Sequence, residues 1–338
     1  MRWIKALCML ALAWSSAQGM AGAWSSDAWL NLMVARDSLR WRIPEPLTDD
    51  YCVDGDAVIS ELCWKPLRCI GFDLGIRTPF GHPKFMVILQ GQVAAICGGH
   101  CRDSDWLGPN FCLEVSRSLS QASGWTASGQ AMLGYRLGSQ AASIAPVAGL
   151  DAARIRLRQR GLRQLFNLDT EDLTLYTDEE DVLTVIKGEV YAMVRPDETH
   201  SGPVSSYDID WIGGLLGGEI YLQPCASMKL QLLGWASLGK YDADADWILR
   251  ECYQHPRSFA HSAQVRTWAL EGGIYWQMTS RLGLNLRGGA RQVWATEGCE
   301  RIFLDRQDDM DEQTLLLSSF QDLTWKRGWV SAGLLFIW

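Results

Sequence analysis

Cysteine is the residue type in this chain with the most chemistry to offer. The sequence contains 10 cysteines among 338 residues. Metal binding and disulfide formation compete for them, and the chain lacks the paired Cys-x-x-Cys units that are typical of zinc sites. We therefore predict no metal and no cofactor. Disulfides persist in oxidising compartments, so the destination of the chain decides what its thiols do.

Acidic residues form the second group with possible chemistry. Seven of them lie between residues 169 and 181, without the Asp-x-Asp-x-Asp-Gly spacing of a calcium loop. We interpret that run as a solvated surface. Two tighter pairs are Asp103 with Asp105 and Asp244 with Asp246. For the first pair, the simplest interpretation is a turn in which Asp side chains cap backbone amides.

Charge and composition exclude two broad classes of protein. The formal net charge is −8 and no run of Lys or Arg is present, which argues against a nucleic-acid partner. The second excluded class is the disordered proteins. With 48% hydrophobic and 21% charged residues, the chain has enough apolar side chains for a substantial folded core.

The N-terminus has the pattern of a secretory signal peptide. Arg2 and Lys5 precede an apolar run at 6–14, and Ala21-Gly22-Ala23 offers a small-x-small cleavage site. Nine apolar residues are too few to cross about 30 Å of hydrocarbon as a helix. We predict a signal peptide at 1–23 and one exported folded unit at 24–338.

The elements that must position these side chains are β-strands. In 228–238, 268–276 and 281–291, apolar residues alternate with polar or charged ones. This pattern predicts that Glu271 and Arg287 face the interior of a closed structure. A soluble sandwich also alternates, so strand periodicity alone leaves both architectures open.

The connections between strands alternate in length, which favours a membrane barrel. Tight turns are predicted at 78–83, 138–140, 223–227 and 279–281, and long extracellular loops at 46–56, 102–111, 160–203, 243–261 and 297–313. The prediction is an all-β, ten-stranded antiparallel transmembrane β-barrel in a bacterial outer membrane, with both termini at the periplasmic rim. Tryptophans near strand ends are expected to form its interfacial girdles: Trp64, Trp125, Trp211, Trp247, Trp294, Trp325 and Trp329.

The C-terminus fits such a barrel. Alternate residues from Val330 onward are apolar or small, and the chain ends on Phe336 and Trp338. In a soluble protein this segment would be an unprotected sheet edge. We interpret Phe336 and Trp338 as a signal for the barrel-insertion machinery.

The predicted export and strand order indicate which cysteines could form disulfides. Removal of Cys8 with the signal peptide leaves nine, an odd number. Cys101 with Cys112 would close the second loop, and Cys252 with Cys299 would join the fourth loop to the fifth. Cys225 lies at a tight turn and is our candidate for an intermolecular bond.

Three strings resemble the family known as Protochlamydia outer membrane protein. They are ISELCW at 59–64, GGHCRDSDWLG at 98–108 and EVSRS at 114–118. The resemblance extends from about residue 27 to the C-terminus. It implies a chlamydia-like bacterium and possible disulfide-linked envelope proteins as partners.

The order of elements is also similar to that of omptins, ten-stranded outer-membrane aspartyl proteases. That resemblance implies a pairing of Asp103 and Asp105 with an Asp-x-His pair in the fourth loop, between which a water is activated. Here Asp244 is followed by Asp246 where the histidine should stand. A carboxylate lacks the near-neutral pKa of imidazole, which leaves His255 and His261 as substitutes.

We therefore expect a structural or surface protein on a catalytically degenerate omptin-like scaffold. An active omptin-like protease and a small selective channel or surface receptor are the alternatives. Ten strands with Arg and Glu inside should leave little open pore. The expected partners are outer-membrane lipid, including lipopolysaccharide, and the insertion machinery.

Overall fold

The computed structural model describes residues 26–44, 58–107, 113–139, 141–167, 199–250, 253–304 and 314–338. The predicted signal peptide at 1–23 lies outside these ranges. No helix in them is long and apolar enough to cross a bilayer. They contain twelve β-segments: β1 Asp27–Pro44, β2 Val58–Phe80, β3 His82–Gly98, β4 His100–Leu107, β5 Leu113–Tyr135, β6 Leu137–Gly138, β7 Ala142–Asn167, β8 Thr199–Cys225, β9 Met228–Asp246, β10 Phe259–Gln277, β11 Leu282–Leu304 and β12 Thr314–Ile337.

The segments form one antiparallel sheet that closes on itself. β1 pairs with β2 on one side and with β12 on the other, so that Asp27 lies opposite both Arg77 and Ile337. On the far side β5 pairs with β7. The prediction of an all-β antiparallel ring is confirmed.

The described segments number twelve, where the sequence predicted ten strands. β3 and β4 are separated by Gly99 alone, and β5 and β6 by Arg136 alone. β4 continues the position of β3 between β2 and β5, so the twelve segments occupy ten positions around the ring. Sequence periodicity does not show single-residue breaks of this kind.

The outer and inner faces of the closed sheet differ in polarity, as the alternation in the sequence predicts. Leu282, Leu284 and Leu286 are exposed on the outside, whereas Arg287 and Glu271 are buried inside. The prediction for these two charged residues is confirmed. An exposed apolar face next to a charged interior is the inverse of a water-soluble sandwich.

Four of the predicted girdle tryptophans face the wrong way for that role. The buried ones are Trp64, Trp211, Trp325 and Trp329, at 1%, 3%, 1% and 6% exposure. They occupy interior positions of the alternation, and the prediction considered their place along the strand but not their face. Trp125 is outward and 40% exposed.

The strands are longer than predicted at the end opposite the termini. β4 extends to Leu107, β7 to Asn167 and β8 begins at Thr199, all inside ranges predicted as loops. β9 extends to Asp246 and β11 to Leu304. In these extensions the strands remain hydrogen-bonded to their neighbours, although their outer face is no longer apolar. The sequence prediction ended each strand where the apolar alternation stopped. The rest of the predicted loops at 46–56, 102–111, 160–203 and 297–313 lies outside the described residues.

Candidate functional site

Asp103 and Asp105 lie on the interior face of β4, at the long-loop end of the ring. β4 is paired on both sides, with Asp103 opposite Leu62 on β2 and Ser118 on β5. The Ser60 hydroxyl donates to Asp103 Oδ1 at 3.2 Å. The pair belongs to a strand whose pairing with β5 shifts register only after Asp105, so the prediction of a capping turn is wrong.

The environment of this pair favours its protonated form. Burial, and then the neighbouring Asp105, raise the pKa of Asp103 to about 7, against opposing contributions from Arg250 and Ser60. Burial also raises the pKa of Asp105. Like charges that are close together resist simultaneous ionisation. The pair therefore holds a proton near neutral pH.

Asp244 and Asp246 point away from the interior. The Asp244 side chain is 53% exposed, and its Oδ1 lies 2.5 Å from Arg257 Nη2. Asp246 Oδ1 lies 2.6 Å from His255 Nδ1. The ring therefore does not bring these acids, or His255, to the Asp103–Asp105 pair.

Small residues occupy the interior positions of β9 at this level. Ala243 and Ala245 are buried, and Tyr241 on the same face is almost inaccessible. The sequence prediction selected the acidic residues of 242–246 and missed the one-residue phase that assigns alanine to the inside. Leu230 and Leu232 face outward, and counting every second residue forward from them places Asp242, Asp244 and Asp246 on the same outer face. That alternation could have identified Ala243 and Ala245 as the interior residues.

His261 is the histidine that enters the interior. Its side chain is 3% exposed, and its Nε2 lies 2.9 Å from Oε1 of Glu300, which is 1% exposed. The His261 ring packs against Trp41, with centroids 4.3 Å apart. Sequence reasoning missed Glu300 because it fell within a predicted loop.

Aromatic side chains separate His261 from the acidic pair. Trp41 packs on Tyr207 with centroids 5.8 Å apart, and Tyr207 packs on Trp64 at 4.9 Å. A cavity of about 10 Å³ lies among these rings, which is room for about one water. The layer formed by the rings of Trp41, Tyr207 and Trp64 therefore lies between the histidine and the strand that carries the carboxylates.

Below that layer the interior is filled by arginine–carboxylate pairs. Their N–O distances range from 2.6 to 3.0 Å and every side chain is buried. The pairs are Arg77–Glu219, Arg287–Asp73, Arg287–Glu271, Arg291–Asp151 and Arg327–Asp37. Within the described ranges, no three His, Cys, Asp or Glu side chains form a group able to hold a metal.

Six cysteines in the described ranges are free: Cys63, Cys69, Cys97, Cys101, Cys225 and Cys299. The predicted partners of Cys101 and Cys299 are Cys112 and Cys252, which lie outside those ranges, so both pairings stay predictions. Burial raises the pKa of the Cys101 thiol well above its usual range. Cys225 is fully exposed, and a hydrogen-bonding contact with the Ser227 hydroxyl at 3.5 Å lowers the pKa of its thiol.

The C-terminal residues complete the ring. The Trp338 N–H donates to the Ser26 carbonyl at 3.1 Å, and the Ser26 N–H donates back at 3.0 Å. Phe336 and Trp338 both face outward, about half exposed. Their role as an insertion signal stays a prediction.

A closed antiparallel ring with an apolar outside and a charged interior defines an integral outer-membrane β-barrel. The chain belongs to the Protochlamydia outer membrane protein family, whose model matches residues 34–337. No curated protein sequence matches it.

A solved structure shows the same fold. The outer membrane protease OmpT from Escherichia coli superimposes with a TM-score of 0.66 and 13% identity, covering 96% of this chain and 100% of that one. A monoaromatic hydrocarbon channel, a TodX mutant, matches with a TM-score of 0.30, 9% identity and coverages of 94% and 91%. A Pseudomonas aeruginosa FadL homologue matches with a TM-score of 0.26, 9% identity and coverages of 92% and 90%.

Proposed function

We propose that this barrel is a structural surface protein of the outer membrane, built on an omptin-like scaffold that has lost proteolytic activity. The observation that carries the proposal is the phase of β9. Ala243 and Ala245 face the interior, while Asp244 and Asp246 bind Arg257 and His255 outside. Activation of a water by the Asp103–Asp105 pair would need a base across the interior, and alanine supplies none. The inward His261 lies beside Glu300, and the ring of Trp41 packs against it.

The filled interior supports a structural role over transport. Arg287 lies between Asp73 and Glu271, with a contact of 3.0 Å to each. Further buried pairs lie at other levels of the interior, and the aromatic layer covers them. Displacing these charges would leave buried groups unpaired at a cost of several kcal/mol. An open aqueous path is therefore not expected at rest.

The height of the wall supports a surface role. On β8 the exposed large apolar side chains run from Ile212 to Leu222, while the strand begins at Thr199. At about 3.3 Å per residue and a tilt near 40°, the polar part extends roughly 30 Å beyond the apolar band. In the orientation usual for such barrels, with short turns in the periplasm, it would hold the long loops away from the bilayer.

Two assays on the same refolded sample separate the functional classes. In the presence of lipopolysaccharide, wild-type protein should leave dibasic peptides intact, and in a planar bilayer it should give no discrete current steps. Peptide cleavage that disappears in Asp103→Asn would establish a protease. Stable current steps that vary with protein amount would establish a channel.

A further inference from the structure

Three exposed cations lie together on the outer face of the barrel, where β12, β1 and β2 are paired. Arg36 on β1 lies directly opposite Arg68 on β2. Lys326 on β12 pairs with Ser38, two residues after Arg36 on β1. All three cationic side chains are exposed. We call Arg36, Arg68 and Lys326 the outer cation cluster.

The cluster lies at the edge of the apolar band. On β2 the exposed large apolar side chains run from Ile70 to Phe80, which is next to a tight turn. Ten residues at about 3.3 Å each and a tilt near 40° span roughly 25 Å, the height of the lipid-facing band of such barrels. Arg68 is the next outward residue beyond Ile70, and Arg36 is the next beyond the exposed Val34 on β1. With the short turns in the periplasm, the cluster is level with the phosphate groups of the outer leaflet.

The described residues supply no counter-ion to the cluster. Two carboxylates lie on the same part of the outer face, and both are bound to other arginines. Asp322 Oδ2 lies 3.6 Å from Arg40 Nη2. Glu61 Oε2 lies 3.5 Å from Arg42 Nε, and its Oε1 lies 3.0 Å from Arg102 Nη2. Like charges directly opposite each other on paired strands are destabilising, so the two facing arginines of the cluster cost stability unless an anion binds between them.

Bare backbone borders these two arginines on either side. Gly98 on β3 is the cross-strand partner of Arg68, and Gly328 on β12 is that of Arg36. A methyl group added at either glycine would meet no atom within 4 Å. The guanidiniums therefore have open space beside them, and a group as large as phosphate can reach both.

The other side of the barrel neutralises the same level with its own residues. On β8, Asp210 is the next outward residue beyond the exposed Ile212. Its carboxylate binds Arg154 of β7, with 2.8 Å between Arg154 Nη2 and Asp210 Oδ2. A cation at the edge of the apolar band thus has a carboxylate partner there, whereas the outer cation cluster has none among the described residues.

We propose that the outer cation cluster binds the phosphate group of an outer-leaflet lipid. Each guanidinium presents a planar fork of N–H donors that matches phosphate oxygens, and Lys326 adds a third positive charge. The acyl chains of the same lipid lie along Val34 and Ile70, which are 53% and 57% exposed. A free phosphate ion would bind the cations but leave these apolar side chains uncovered. The bound lipid bridges β12, β1 and β2, the strands at which the ring closes.

Lipid binding to the refolded barrel in nonionic detergent tests this. The probe is lipid A with two phosphate groups, and native mass spectrometry measures the concentration at which half of the barrels carry it. Arg68→Gln should raise that concentration about tenfold, the effect of losing one hydrogen bond to a charged group. Arg36→Gln with Arg68→Gln should raise it further, and Arg68→Gln alone decides if the double variant does not assemble. Lipid A without its phosphates should bind the wild type as weakly as the intact lipid binds the double variant.

Lys84→Gln with Arg281→Gln is the matched control. It removes two positive charges from the short-turn end, where both side chains are exposed, and should leave the half-saturating concentration unchanged. Inorganic phosphate at the concentration of the lipid should not displace it. Arginine variants that bind lipid A as the wild type does overturn the proposal. Displacement by inorganic phosphate would also overturn it in favour of a free anion, and an equal loss in the control would show that net charge alone governs binding.

Discussion

Arg287 on β11 forms a buried ion pair with Asp73 on β2, and its Nη1 lies 3.0 Å from both carboxylate oxygens. The partners are 214 residues apart in the sequence. Each is 2% exposed, and Nη2 of the same guanidinium binds Glu271 and Gln90. One cation therefore links β2, β3, β10 and β11 across the interior.

Replacing this cation should destabilise the barrel strongly. Arg287→Met leaves Asp73 and Glu271 buried without their partner, at an expected cost of about 3–5 kcal/mol in the free energy of unfolding. Urea unfolding of refolded protein in lipid vesicles measures it. Arg154→Met is the matched control, because Arg154 pairs with Asp210 on the exposed outer face and should cost at most about 1 kcal/mol. Equal costs for both variants would contradict this account of the interior.

Asp103 should make the barrel less stable as the pH rises. Its pKa is about 7 in the folded protein against an ordinary value of 3.8, so the folded state binds more protons than the unfolded state between those values. The free energy of unfolding therefore falls as the pH rises through that window and is level above it.

Asp103→Asn should remove much of this dependence, and the variant should exceed the wild type by about 1–2 kcal/mol near pH 8. Urea midpoints at about pH 5 and about pH 8 provide the comparison. Asp210→Asn on the outer wall is the control. A wild-type barrel that gains stability with rising pH would contradict the assignment.

Much of the fold follows from the sequence, because strand alternation is local. The outward leucines of 282–286 and inward Arg287 were predictable from a period of two. Contacts that join distant strands were not: Glu300 beside His261 depends on the extension of β11 beyond its predicted end. The site was mispredicted for a related reason, since the residue types of 242–246 suggested chemistry while the phase of β9 directs those acids outward.

Cys225 should be the most reactive thiol at the short-turn end. It is fully exposed and a contact with Ser227 lowers its pKa, which favours the thiolate that forms disulfides. Non-reducing gels of intact envelopes should show high-mass species that disappear in Cys225→Ser. Cys97→Ser, also exposed but on the outer face of β3, is the control and should leave the ladder unchanged. The same high-mass species in Cys225→Ser as in the wild type would show that Cys225 does not form the intermolecular disulfide.

Deleting 336–338 should prevent assembly in cells. The truncation removes both backbone hydrogen bonds between Trp338 and Ser26 and the two outward aromatic side chains. Surface protease accessibility and heat modifiability on gels report insertion. Trp338→Phe keeps an aromatic terminus and should insert normally. Wild-type levels of the inserted truncation would show that the terminal aromatics carry no signal.

The most direct measurement of the central claim is peptide cleavage by refolded protein in lipopolysaccharide, compared among the wild type and three variants. Wild type should show no turnover above the blank. Asp246→His should also show none, because position 246 faces outward. Ala245→His directs an imidazole inward and is the variant expected to gain weak turnover. The orientation of β9 predicts that the peptide stays intact with the wild type and with Asp246→His. Peptide cleavage by the wild type that Asp103→Asn abolishes would contradict a scaffold without proteolytic activity.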